Sequence, residues 1–360
     1  MGGGRPTERS GELPSGAYTG GMTGRRPPGP DVIRALRLYG IEAEGIFPLP
    51  GGSAGTEWRA HAGGRTLLVR RHDPARPDQA IAWEHDFRAY LETKGWPGAP
   101  PLLTRDGRDV VGVDGERFSL YPLRLGRPLS PRSPGAPALL GRLLARFHAD
   151  ARRFPREEQP EGLGLAWELD TLVQTAGLGT LGELLVAFAR EAPALAAAFR
   201  RERFRLIRDL ARSRYADLPR GVVLLAFSRE SVPFEGGQPA ALLRLELAHW
   251  DAFAFDVAAG LVREAWSPAR PGSFDLSAAF GFLEGYEALR PLEPEEWRAL
   301  PVFVRAVALW EAVRALARWW SEGDARAGAA VRRAIERQLP ATESHARRLV
   351  ELATSAARSR

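Results

Sequence analysis

The residues able to do chemistry in this chain are few. Gly51-Gly52-Ser53-Ala54-Gly55 is a glycine-rich turn between strands, a place where backbone N–H groups could cradle phosphates. Arg70 and Glu84 are expected to meet as a buried ion pair. His249 and Asp251, two residues apart, are the spare acid and base types. His148 falls on an apolar helix face and reads as a packed histidine, while Asp256 reads as a helix-start cap or salt-bridge residue. Trp310, Trp319 and Trp320 read as helix packing. Other chemistries are excluded more firmly. No His, Asp and Glu cluster has the spacing of a metal site, and no Ser-His-Asp order is legible. The chain has no cysteine, which removes thiolate nucleophiles, disulfides and cysteine zinc sites.

These groups need a frame. The chain has 360 residues, 44% of them hydrophobic and 26% charged, enough for two lobes with separate cores. The formal net charge is +6, but nearly every base is arginine, with Lys94 the single lysine. That excess is spread along the chain rather than gathered in a stripe, so no nucleic-acid partner is expected. Residues 1–30 are rich in Gly, Pro, Ser, Thr and Arg, lack the apolar centre of a secretory signal, and read as a disordered tail. No apolar run approaches the roughly 20 residues that span a bilayer. No membrane partner is expected, and the cytoplasm is the expected compartment.

Pattern and punctuation predict the elements. A helix is expected over 31–39, then strands over 57–62 and 66–71 joined by Gly63-Gly64, and an amphipathic helix over 79–93. Strands at 109–113 and 117–121 flank Asp114-Gly115, a hairpin signal. After Pro122 the pattern turns helical, at 136–151, 181–191, 193–215, 276–289, 295–320 and 325–357, with Pro301 and Pro340 expected to break or kink the last two. Strand-like runs at 221–225 and 241–243 surround a turn at Gly236-Gly237. Strands followed by helices argue an α+β fold. The expected division is a β-rich lobe over 31–122 and a helical lobe over 123–360, with a small hairpin at 221–248.

At this point the chain resembles the aminoglycoside phosphotransferase, choline kinase and homoserine kinase group, from about residue 32 to about residue 322. Leu67-Leu68-Val69-Arg70 is similar to the strand whose basic residue meets nucleotide phosphates, and Glu84 stands where the family keeps its acidic partner. Leu140 to His148 resembles the family's LG-x-x-LA-x-LH helix, and Leu218 to Val257 its catalytic hairpin. The resemblance implies a bilobal protein-kinase-like fold. It also exposes departures. Leu224, Leu225 and Ala226 stand where the family reads H-G-D, Ser231 where it has Asn, and Arg244 where it has the metal-binding Asp. Phe255-Asp256-Val257-Ala258 matches its D-x-A helix start.

Phosphoryl transfer on such a fold depends on placement and charge neutralisation. Magnesium demands hard oxygen ligands. Alanine offers none, serine a weak neutral one, and arginine a permanent cation. The reading of the residues is therefore a degenerate kinase-like protein of a bacterial type. It would use no Mg-ATP and bind a peptide or protein partner in the cleft between its lobes. Arg70, Glu84, Gly52 and Ser53 would remain there as a vestigial nucleotide site. A second reading is a repurposed enzyme, such as a peptide-modifying thioether cyclase, with Arg244, His249 and Asp251 as its catalytic candidates. A third is a small-molecule phosphotransferase whose catalytic groups are displaced.

Overall fold

The computed structural model describes residues 28–49, 55–130, 133–160, 163–174, 177–265, 274–323 and 325–358. Gly52 and Ser53 lie outside the described residues, as do residues 1–27 of the expected tail. The chain opens with α1 (Pro30–Leu38), whose proline sits at the first helical turn, where its missing N–H costs nothing. The strands that follow are β1 (Gly45–Leu49), β2 (Gly55–Ala62) and β3 (Arg65–His72). Helix α2 (Asp78–Thr93) then leads to β4 (Val111–Val113) and β5 (Glu116–Pro122). The five strands form one antiparallel sheet in the order β1-β2-β3-β5-β4.

Two of its hairpins close through two residues each, Gly63-Gly64 and Asp114-Gly115, and all four have positive φ. Primed turns need that geometry, because their twist matches the strands. The sheet packs Trp58, Leu67, Val69, Val111, Phe118 and Leu120 against Val32 and Leu36 of α1. Helix α2 belongs to a different core. Its Trp83, Phe87 and Leu91 pack with Phe147 and Phe154 of the larger lobe.

That lobe contains α3 (Ala136–Ala151), α4 (Asp170–Gln174), α5 (Leu181–Phe188) and α6 (Pro193–Arg212). Short strands follow: β6 (Arg220–Val223), β7 (Phe234–Glu235), β8 (Gln238–Pro239) and β9 (His249–Ala252). Then come α7 (Phe253–Ala265), α8 (Leu276–Glu287), α9 (Pro294–Glu322), α10 (Ala325–Arg333) and α11 (Leu339–Arg358). The result is the bilobal α+β architecture expected. No helix among the described residues is long and apolar enough to cross a membrane.

Helices α3 and α8 cross where both are glycine. A Cβ on Gly141 would stand 2.0 Å from the Phe282 carbonyl oxygen, and one on Gly285 2.0 Å from the Ala138 carbonyl oxygen. Backbone cannot give way as a side chain can, so the helices would have to separate. Gly141→Ala is expected to lower stability by about 2–3 kcal/mol, read as a reduced urea midpoint at unchanged slope. A midpoint equal to wild type would show that the crossing is loose.

Three expectations about elements are corrected. Strand β6 pairs with β9 (Val223 opposite His249, Arg220 opposite Ala252), not with 241–243. Residues 241–243 are not a strand, because loops satisfy their backbone: Leu242 N–H donates to the Pro97 carbonyl and Leu243 N–H to that of Ser231. Gly236-Gly237 closes only the two-residue ladder of β7 and β8. Pro301 does not break α9, which runs through it; packing against α7, α10 and α11 outweighs the lost bond. Near Pro340, a π-helical turn over Ala334–Gln338 lets the chain pass from α10 into α11.

Candidate active site

The strand register explains why Arg70 is buried. On β3 it lies between Glu57 of β2 and Ser119 of β5, on the face turned to α2. Its Nε donates to Glu57 Oε1 at 2.8 Å, its Nη1 to Glu84 Oε1 at 2.9 Å and its Nη2 to Glu246 Oε2 at 3.1 Å. Glu84 also accepts from Arg76 Nη1 at 2.8 Å and from Arg88 Nε at 2.6 Å. Arg88 and Arg70 both lie over the Tyr121 ring, at 4.5 and 5.3 Å from its centroid. Burial opposes the charge on Glu84, but the guanidiniums of Arg88, Arg70 and Arg76 outweigh it and hold the carboxyl well below its ordinary range. The expected pair is present, inside a larger network. Arg88 was visible in the sequence as an i+4 partner of Glu84, whereas Glu57, Arg76 and Glu246 reach the cluster through tertiary structure.

The catalytic hairpin keeps its frame. Asp256 of α7 accepts the Leu224 N–H on Oδ2 at 2.8 Å and the Leu225 N–H on Oδ1 at 2.9 Å. His148 Nε2 lies 3.1 Å from the same carboxylate, and its Nδ1 2.7 Å from the Tyr286 hydroxyl. Asp256 is therefore not a cap for its own helix; it fixes the loop after β6. Leu225 is held at φ 50°, a conformation uncommon for a branched residue. His148 is the packed histidine expected, its pKa lowered by burial.

The altered positions do not hold a cation. Leu224 and Ala226 are buried and apolar. The Ser231 hydroxyl donates to the Ala226 carbonyl and accepts from the Ser228 N–H, so it is spent on its own loop. Arg244 sits at φ 67°, is 40% exposed, and reaches Glu246 only at 3.9 Å. It does not plug a buried site, as a guanidinium replacing a bound metal would. Among the described residues there is no group of three His, Asp or Glu able to hold a metal ion. The altered positions do not supply the oxygen ligands that the family resemblance implies for a divalent cation there.

A cavity of about 120 Å³ lies between the lobes. Asp73 and Arg76 line it from the small lobe, with Leu225, Glu246 and His249 from the hairpin region and Arg263, Trp310, Glu311 and Arg314 from α7 and α9. His249 and Asp251 come apart in role. The Asp251 carboxylate accepts from the Tyr215 hydroxyl and from the N–H groups of Ala252 and Ala166, and it is fully buried behind the wall. Burial pushes its pKa up, against the pull of His249 and Tyr215. As an anchor for three donors it is not a free acid or base, which corrects its place among the catalytic candidates. His249 does line the cavity. Sequence reasoning missed Arg263, Glu311 and Arg314, and treated Trp310 as packing alone; no local pattern marks them, because α7 delivers Arg263 and α9 the other three through tertiary structure.

The sequence profile of the phosphotransferase enzyme family matches residues 46–292. The chain is 33% identical over 295 residues to a homoserine kinase of Methylobacterium sp. (strain 4-46), covering 81% of this chain and 86% of that protein. Among solved structures it is similar to the amicoumacin kinase hAmiN in complex with AMP-PNP, Ca2+ and Ami, with a TM-score of 0.69 and 16% identity over 87% of this chain and 92% of that one. It is also similar to the microcompartment-associated aminopropanol kinase, with a TM-score of 0.62 and 18% identity over 88% of this chain and 96% of that one. These findings overturn the expectation of a silent, peptide-binding cleft. The relatives that match most of both chains are named homoserine kinase, amicoumacin kinase and aminopropanol kinase. They likewise overturn the expectation that no nucleotide is used, since a neighbour of the same fold is held with AMP-PNP and a divalent cation. Fold, profile match and identity agree, and the chain belongs to the phosphotransferase enzyme family.

Proposed function

We propose that this protein is an ATP-dependent phosphotransferase that phosphorylates the hydroxyl group of a small amino alcohol. The observation that carries this reading is 33% identity to a homoserine kinase over 81% of the chain, and the architecture supports it. The lobe-joining Arg70–Glu84 pair and the Asp256 clamp on the hairpin are both intact. The interlobe cavity suits a small polar molecule carrying an ammonium group, because it offers carboxylates (Asp73, Glu246, Glu311) beside guanidiniums (Arg76, Arg263, Arg314) around an apolar wall of Leu172, Phe255 and Trp310.

The test is a coupled ADP-release assay on purified full-length protein, with homoserine, aminopropanol and amicoumacin as acceptors and Mg2+, Mn2+ or Ca2+ supplied in turn. One acceptor should raise ADP release at least tenfold over the acceptor-free rate and yield the phosphorylated product by mass spectrometry. Absence of product from every acceptor under every cation condition would refute the reading.

A further inference from the structure

We infer that Arg263 and Arg314 form a carboxylate-binding subsite in the interlobe cavity, so that the acceptor is a hydroxy amino acid rather than an amino alcohol lacking an acid group. The inference rests on the phosphotransferase reading above and narrows its substrate class. Three guanidiniums line the cavity, and they are not equivalent. Arg76 is committed, donating from Nη1 to Glu84 Oε2 at 2.8 Å and from Nη2 to the Ala80 carbonyl at 3.3 Å. Two of the carboxylates are engaged as well: Glu246 is held by Arg70 Nη2 at 3.1 Å, and Asp73 accepts the Ala75 N–H at 2.8 Å.

Arg263 and Arg314 are different. Arg263, on α7, works at the edge of hydrogen-bond range, reaching the Ala259 carbonyl from Nη1 at 3.4 Å and Glu311 Oε1 from Nη2 at 3.4 Å. Its side chain is 26% exposed and that of Glu311 54%, so water weakens the bond between them. Arg314 stands three residues after Glu311 on α9 and takes part in no hydrogen bond or ion pair among the described residues. Helices α7 and α9 pack together, which puts both guanidiniums on one wall of the cavity. The crowding of charge lowers the Arg263 pKa: burial acts first, and Arg314 and Arg244 add to it against the pull of Glu311 and Asp256.

That wall therefore sets two guanidiniums against one exposed carboxylate and is short of negative charge. Both guanidiniums stay charged, and a guanidinium fork matches a carboxylate through two parallel N–H···O bonds. The apolar surface beside them, Leu172, Phe255 and Trp310, strengthens such a pairing by keeping water away. A cavity of about 120 Å³ takes roughly ten water-sized groups, the scale of a small hydroxy amino acid. Inorganic phosphate shares the anionic chemistry, and the experiment separates the two.

The experiment is isothermal titration calorimetry on full-length protein without nucleotide. The probes are L-homoserine, L-threonine and L-serine, each beside the counterpart whose carboxylate is reduced to an alcohol, and inorganic phosphate. At least one acid should bind about 10- to 100-fold tighter than its counterpart, the worth of charged hydrogen bonds. Arg263→Gln and Arg314→Gln should each weaken that acid about tenfold or more while leaving its counterpart and the thermal midpoint nearly unchanged. Arg263→Lys, which keeps the charge and loses the fork, should fall between Arg263→Gln and wild type. Equal affinity for every acid and its counterpart would overturn the inference. So would variants that weaken both alike, as a merely structural role would. Binding of phosphate but of none of the acids would make the pair a phosphate site and overturn it too. If the ADP-release assay yields no product while an acid still binds through Arg263, the functional reading falls and the subsite stands. Turnover of homoserine and aminopropanol with equal kcat/KM, in wild type and Arg263→Gln alike, would keep that reading and sink the subsite.

Discussion

Replacing Glu84 with glutamine should lower the folding free energy by about 3–5 kcal/mol, because it removes the carboxylate that Arg76 and Arg88 share and one of three that Arg70 reaches. Glutamine fits the space, so the loss is electrostatic rather than steric. It leaves buried guanidiniums short of countercharge, a larger penalty than the net worth of the intact network. The pH dependence follows the same logic. The Glu84 carboxyl titrates well below its ordinary range in the folded protein and at that range in the unfolded chain. Its contribution is therefore complete above the ordinary carboxylate value and is lost as pH falls toward the depressed one. The variant should show a flatter acid limb in urea midpoints measured between pH 7 and pH 3. A loss under about 1 kcal/mol would mean that the arginines relax to water, as exposed pairs do.

The second large effect is expected at Asp256. Alanine there strands the buried Leu224 and Leu225 amides and removes the partner of His148 Nε2. Each stranded donor costs about 1–3 kcal/mol, and Leu225 loses the contact that holds its left-handed backbone in place. Together these should reach about 3–5 kcal/mol. The loop beneath the cavity should rearrange, abolishing any transferase activity. Asp256→Asn, which keeps one acceptor oxygen, should fall between the two proteins in denaturant midpoint. Were Asp256→Ala as stable as wild type, the clamp would be ornamental and the loop held by something else.

Much of this was readable in the chain, and the reasons are local. Gly63-Gly64 and Asp114-Gly115 announce their hairpins because few other residue pairs tolerate two positive φ angles. Leu139 through Phe147 announce α3 by spacing. The five-residue α4 is too short to leave a period, and β9 was invisible because His249-Trp250-Asp251-Ala252 resembles a strand only once Val222 and Val223 lie beside it. The site divides in the same way. Arg70 and Glu84 follow from linear motifs, and the structure pairs them. What motifs could not supply was function: loss of familiar ligands argued for loss of activity, whereas the relatives are named as kinases. Nor could spacing distinguish His249 from Asp251. Their separation depends on what surrounds each, three hydrogen-bond donors for the aspartate and a cavity for the histidine.

The double allegiance of α2 has a mechanical consequence. Its aromatic face is set into the large lobe through Trp83, Phe87 and Leu91, while Glu84 on the same helix grips the sheet through Arg70. The helix therefore belongs to the large lobe by packing and to the sheet by charge. That second tie is shared, because His85 of α2 also meets the Tyr121 hydroxyl at 2.9 Å and Asp109 at 2.6 Å, beside the Arg70–Glu84 contact. A change confined to Arg70 would thus leave the sheet still fastened to α2.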